Sequence, residues 1–184
     1  MIGDRTLFNK TKLISGILLM HKVVDEIDFS EPIIRRKSLS ATNPGNMTTT
    51  VEFPGLASLT LDEPVQHGGG GLGPSPLQGV LGSLCGCEAV TFSRTAKEKN
   101  FSYSGLEFEA EYTIDIRGRM GERSVVPHFK TVRVQVVVKT DENEERLREV
   151  VEETESRCPV FNLIRDAKVN LECVWVRSSN KTNH

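Results

Sequence analysis

Apolar residues between Lys12 and Ile27 fall at Leu13, Ile14, Ile17, Leu18, Val24 and Ile27, a helical spacing that Pro32 ends. Ile33 to Ala41 and Met47 to Phe53 then read as strands, the second rich in β-branched Thr48, Thr49, Thr50 and Val51. Asn43-Pro44-Gly45-Asn46 forms the turn between them, and Pro54-Gly55 a second turn before a short strand from Leu56 to Leu61. The first third of the chain is therefore a helix followed by a β-meander.

Gly68 to Gly73 is a loop with no Lys-Ser/Thr pair after it, which argues against a phosphate-binding P-loop. A helix opens directly behind it. Ser75 is the N-cap, Pro76 the first helical residue, and Gln78 stands where a capping box needs it. The apolar pattern carries this helix to about Lys99. Gly79, Gly82 and Gly86 each lower its propensity by roughly 1 kcal/mol relative to alanine. Small residues at this spacing predict close approach of another backbone, and so a central, buried helix.

Strict alternation returns from Phe101 to Ile116, through Leu106, Phe108, Ala110, Tyr112, Ile114 and Ile116. After a polar loop from Arg117 to Pro127 it resumes from Thr131 to Lys139, with Val132, Val134, Val136 and Val138 on one face. Asp141 to Arg157 predicts a helix with Asp141 and Glu144 as a capping box and Leu147, Val150, Val151 and Thr154 as its apolar stripe. A short helix follows Cys158-Pro159, and Val169 to Val176 is a final strand. The elements make an α+β domain, with residues 1–32 as an N-terminal helical extension and 33–184 as the domain proper.

Composition narrows the function classes. A formal net charge of -2 on 184 residues favours neither nucleic acid nor an anionic membrane. The run from Leu13 to Met20 is too short to span a bilayer, and charged residues follow it with no small-residue cleavage site. The expectation is a cytoplasmic protein without a membrane partner. Four cysteines, Cys85, Cys87, Cys158 and Cys173, are too few for a disulfide scaffold. No C-x-x-C pair exists and no histidine stands at ligand spacing, so neither a metal nor a cofactor is expected.

The cysteines then have to be sorted. Cys85 and Cys87 lie two residues apart on a helix, about 200° of rotation, so they face different surroundings and cannot bond to each other. Each is either a small buried hydrophobe or a site thiol. Cys158, before Pro159, caps the short helix. Either the helix dipole and neighbouring Arg157 make it acidic, or it is a mediocre substitute for serine. Cys173 alternates with Leu171 and Trp175 and is expected in the core.

The stretch "LDEPVQHGGGGLGPSPLQGVLGSLCGCEAVTF" at Leu61 to Phe92, with "SRCPVFNLI" at Ser156 to Ile164, resembles the OsmC/Ohr family. These are the osmotically inducible protein C and organic hydroperoxide resistance proteins. The family pattern is an Asp-Glu-Pro strand end, a glycine loop, a Gly-Pro-x-Pro-x-Glu helix start, a cysteine further along that helix, and a second cysteine in Cys-Pro-Val. Cys87 falls on the first family cysteine and Cys158 on the second. The likeness runs from about Ser30 to Val176 in element order, and the N-terminal helix looks like the extension of one family branch.

The resemblance implies an OsmC-like fold: two central helices wrapped by antiparallel-rich sheets in an intertwined homodimer. It also implies a thiol-dependent peroxidase in oxidative stress defence. Cys87 would be the peroxidatic thiolate that attacks an organic hydroperoxide, and Cys158 would resolve the sulfenic acid as a Cys87–Cys158 disulfide. An external dithiol, a lipoyl protein or thioredoxin, would restore the thiols. Cys85 is then the extra cysteine.

The sequence departs from the pattern where the family has a glutamate that holds a catalytic arginine over the thiolate. Leu77 and Gln78 stand there, and Gln78 is uncharged although it can still donate and accept hydrogen bonds. Arg35 and Arg36 are the candidate arginines. His67 could supply a positive partner but reads more simply as a solvated loop residue. Glu88 follows Cys87 directly and would, if close, raise that thiol's pKa rather than lower it. The alternative function is a non-catalytic or thiol-sensing scaffold that binds a small apolar ligand.

Overall fold

The computed structural model describes residues 30–179. The helix predicted over Lys12 to Ile27 lies outside the described residues. The chain divides between Leu39 and Ser40 into two compact units. Residues 30–39 are exposed and carry no strand, so the strand expected from Ile33 begins only at Ser40. The consecutive cations Arg35, Arg36 and Lys37 break the alternation, leaving no apolar face to bury.

The second unit opens with a three-stranded antiparallel meander, β1 (Ser40–Thr42), β2 (Thr49–Glu52) and β3 (Leu59–Leu61). Asn43 closes its first turn: its side-chain oxygen accepts from Gly45 N at 2.8 Å and its Nδ2 donates to the Asn46 and Thr48 carbonyls, each at 2.9 Å. A single turn of 3-10 helix (Val65–His67) and the glycine loop lead into α1 (Pro76–Glu98). Its capping box forms as the sequence predicts. Gln78 Oε1 accepts from Ser75 N at 2.9 Å, and Ser75 Oγ accepts from Gln78 N at 3.4 Å.

The second sheet contains β4 (Gly105–Ile114), β5 (Phe129–Lys139) and β6 (Asn170–Ser178). A one-turn helix, α2 (Ile116–Arg119), starts the polar loop between β4 and β5. β4 and β5 pair antiparallel, whereas β5 and β6 pair parallel. A parallel pair needs a crossover. Here α3 (Glu144–Arg157) and α4 (Pro159–Asp166) supply it. The N-cap of α3 is Asn143, whose side chain accepts from Arg146 N at 2.9 Å. The expected Asp141–Glu144 box does not form, because the helix starts at Glu144 and its cap must be the residue just before.

Strand alternation builds the core. Val132, Val134, Val136 and Val138 are fully buried, while Arg133 and Gln135 between them are exposed. α1 contributes Leu81, Leu84, Glu88, Phe92 and Thr95 to the interior, a stripe at helical period. Phe92 stacks on Trp175 and meets Phe101 and Tyr103 edge-on. The opposite face of α1 stays open, with Val80 and Val90 exposed. A Cβ built on Gly82 or Gly86 would meet nothing within 4 Å. The close approach predicted for these two glycines is therefore absent from the single chain. Gly79 alone of the three comes near a neighbour, at 3.1 Å from a Leu61 methyl.

Asp62, at the end of β3, ties the meander to the glycine loop. Its buried carboxylate accepts from Thr48 Oγ1 (3.2 Å), Glu63 N (2.8 Å), Gly70 N (3.0 Å) and Leu72 N (3.2 Å). The loop lies so close that a Cβ on Gly69 would overlap the Glu63 carbonyl and one on Gly73 the Thr60 carbonyl. Burial alone would raise the Asp62 pKa, but the hydrogen bonds from Leu72, Glu63, Thr48 and Gly70 outweigh it and hold the pKa below its ordinary value.

A depressed carboxyl stabilises the fold above its unfolded pKa, and this contribution is lost as pH falls through the lower folded value. Asp62→Ala is expected to lower the melting temperature at neutral pH by about 5 °C or more. Scanning calorimetry at neutral pH and near pH 3 checks this, with the difference between variant and parent narrowing in acid.

Candidate functional site

α1 carries Cys85 and Cys87, both half-buried. The second half of the site is the corner between α3 and α4. Pro159 cannot donate a backbone N–H, so the helix breaks there. Cys158 serves both sides of the break: its N–H bonds to the Thr154 carbonyl at 2.9 Å, and its Sγ accepts from Phe161 N at 3.5 Å. Asn162 locks the corner, with Nδ2 donating to the carbonyls of Glu155 (3.0 Å), Ser156 (3.1 Å) and Cys158 (2.8 Å). This clamp was missed from sequence, although an asparagine one turn into a Cys-Pro-started helix is the signal that could have found it.

α1 packs against both helices of this corner, and Cys87 lies close enough to Cys158 to act on its ionisation. Cys158 is fully buried. Burial first, then the Cys87 thiol and the Glu88 charge, push its pKa up to about 12. The acidic thiol that its place before a helix offered is thus overruled. Arg157 gives no help, because its guanidinium pairs with Glu98 at 2.6 Å and with Glu153.

Glu88 sits beside these thiols with no exposed surface, and neither carboxylate oxygen has a hydrogen-bond partner of ordinary geometry. Burial raises its pKa to about 7; the Cys158 thiol is close enough to favour the charged form, and Glu155 opposes it. Glu155, on α3, is itself pushed up by burial, although Trp175 Nε1 donates to its Oε1 at 3.0 Å. After burial, the Glu88 charge also raises the pKa values of Cys85 and Cys173.

Cys173 is half-buried and packs against the core without being enclosed in it. With Leu147, Val151, Glu155 and Trp175 it lines a cavity of about 550 Å³. β6 is the edge strand, so its inner face is only partly covered by α3. Gln78 lies elsewhere. It lines a second cavity, of about 600 Å³, with Leu77, Tyr112, Ile114, Arg119 and Glu63. Arg119 pairs with Glu63 there at 3.3 Å. Nine residues separate Gln78 from Cys87 along α1. That is roughly 13.5 Å of rise and half a turn of rotation, so the two do not meet within one chain. His67 lines the same second cavity from the 3-10 turn, exposed as expected. Arg35 and Arg36 are exposed in the other unit. Among the described residues no cluster of His, Cys, Asp and Glu could hold a metal ion, and no helix is long and apolar enough to cross a membrane.

A family model described as OsmC-like protein matches residues 68–173, which include Cys87 and Cys158. No curated protein matches the chain by sequence. Among solved structures, an OsmC-like protein from Mycoplasma pneumoniae superposes with a TM-score of 0.66 at 16% identity, over 80% of this chain and 99% of that one. An organic hydroperoxide resistance protein from Legionella pneumophila gives 0.56 at 19% identity, over 80% and 99%. The organic hydroperoxide resistance protein OhrB of Bacillus subtilis gives 0.53 at 19% identity, over 77% and 98%. The α+β arrangement of two sheets and several helices is shared with these structures.

A carboxyl whose pKa is raised on folding favours the fold in its neutral form. Stability from that source is present below the unfolded value, near 4.5, and is lost as pH rises through about 7. Glu88→Gln is therefore expected to be more stable than the parent at pH 8, by on the order of 3 kcal/mol, with the gain gone near pH 4. Urea melts at the two pH values measure it.

Proposed function

The chain belongs to the OsmC-like protein family, and on that premise we propose that it is a thiol-dependent peroxidase that reduces organic hydroperoxides in the cytoplasm. What supports the reading is the closeness of Cys87 to Cys158, two thiols from distant segments, where α1 packs against the α3–α4 corner. The Cys87 thiolate attacks the terminal peroxide oxygen, giving Cys87 sulfenic acid and an alkoxide that takes up a proton to leave as the alcohol. Cys158 then displaces the sulfenic hydroxyl, forming the Cys87–Cys158 disulfide and water. A dithiol partner of the lipoyl-protein or thioredoxin type returns both thiols to the reduced state.

The assembly that fits this reading is a homodimer. The open face of α1, with Gly82, Gly86, Val80 and Val90, is an apolar, small-residue surface on which a second copy's helix can approach closely. Gln78 stands too far from Cys87 on its own helix to act there. Any contribution from Gln78 to the thiol pair comes from the second copy.

One equivalent of cumene hydroperoxide added to the reduced protein is expected to give a two-dalton mass loss and a Cys87–Cys158 disulfide by peptide mapping. Cys87→Ser abolishes peroxide turnover, whereas Cys158→Ser stops at the sulfenic acid, trapped by dimedone. Thiols that stay reduced would overturn the peroxidase and leave the ligand-binding scaffold as the reading to pursue.

A further inference from the structure

A buried carboxylate without a partner costs several kcal/mol, and most proteins avoid one. Glu88 is such a group, fully buried and without a hydrogen-bond partner on the inner stripe of α1, whose helix packs on the α3–α4 corner, and it lies close enough to Cys158 for the two to act on each other's ionisation. Neither capping nor an ion pair explains it. Arg157, the cation nearest in sequence to Cys158, is turned to Glu98 and Glu153. The titratable groups that act on Glu88 are Cys158 at the corner and Glu155 on α3; it acts in turn on Cys85 of α1 and Cys173 of β6.

We propose that Glu88 is the proton acceptor that activates Cys158 for the resolving step. The inference rests on the peroxidase reading. The Cys158 S–H bond breaks and its proton passes to a Glu88 oxygen. The sulfur lone pair forms the bond to Cys87 sulfur, and the S–O bond of the sulfenic acid breaks. The leaving hydroxide recovers the proton from Glu88 and departs as water, so Glu88 ends as it began. The organic hydroperoxide, already reduced to its alcohol, supplied the oxidation.

Cys158 cannot do this unaided, because its pKa is held near 12. Glu88, titrating near 7, is matched to neutral pH: charged often enough to accept a proton, and acidic enough when protonated to return it. Glu155 opposes its ionisation, which strengthens it as a base.

The test separates the two steps. Reduced protein is mixed rapidly with one equivalent of cumene hydroperoxide, and the decay of dimedone-trappable Cys87 sulfenic acid into disulfide is timed across the neutral pH range. In the parent, the rate of decay should rise with pH through about 7 and level off. In Glu88→Gln the decay should be slower by about 100-fold, with the inflection lost. Glu88→Asp, which keeps the carboxylate one methylene further back, should fall between them and keep an inflection. Resolution by Glu88→Gln at the parent's rate or faster would overturn the proposal, since a glutamate that merely suppresses the Cys158 thiolate speeds the step when removed. A flat pH profile in the parent overturns it too, even if both variants fail to fold. If no sulfenic acid forms in the parent, the peroxidase reading itself fails, a result distinct from sulfenic acid that forms and resolves without Glu88.

Discussion

The helical period of α1 forces a carboxylate into the interior. Leu81, Leu84, Phe92 and Thr95 must face inward to cover the valines of β5, and Glu88 lies on the same stripe. Turning it outward would expose Leu84 and Phe92, both fully buried, at a cost of about 1.5–3 kcal/mol each. Packing therefore holds Glu88 in place despite its desolvation. The same rotation sets Cys87 one step from the stripe, half-buried, where it reaches the α3–α4 corner. Thiol geometry and thiol electrostatics are thus consequences of a single helix docking.

That corner depends on the parallel pairing of β5 with β6. The chain leaving β5 must return to the same end of the sheet, and it does so through two helices. The break between them at Cys158-Pro159 is stapled by the three hydrogen bonds of Asn162. A continuous helix would carry Cys158 away on a helical face. The break stops it as a cap, buried against α1, with its sulfur fixed by the Phe161 amide. Asp62 does comparable work at the other end of α1, holding the glycine loop against β3 so that Ser75 and Gln78 can close the capping box.

Much of this was legible in the residues. Ser75-Pro76 and Gln78 announced the start of α1, the valine alternation announced β5, and Cys158-Pro159 announced the corner, because each is a local rule with a local cause. The missed features are those that depend on what surrounds a residue. The helix dipole at Cys158 is real, but burial and the Glu88 charge outweigh it, and neither is visible in a tripeptide. Cys173 has a strand's alternation but lies on an edge strand, which leaves it beside a cavity. The glycines of α1 predicted a close neighbour, yet Gly82 and Gly86 face open space in one chain. Arg35 to Lys37 defeated an alternation that their apolar neighbours suggested.

On the proposed reading, the electrostatics of Cys158 suit the resolving role. At neutral pH a thiol of pKa near 12 is ionised to only about one part in 100,000. Such a group is a poor first nucleophile toward a peroxide and is protected from stray oxidation, both useful in the resolving role proposed for it. That role has a counterpart, since it requires the thiol to lose its proton when a sulfenic acid forms on Cys87. A low-dielectric pocket makes that loss costly unless a base shares the pocket. A surface base would be screened and too distant; an arginine would hold the thiolate permanently and remove the protection. In the proposed role the buried Glu88 carboxylate suppresses the thiolate through its charge and accepts the proton through its basicity, and the presence of an acceptor sulfur in front of Cys158 decides which effect is expressed.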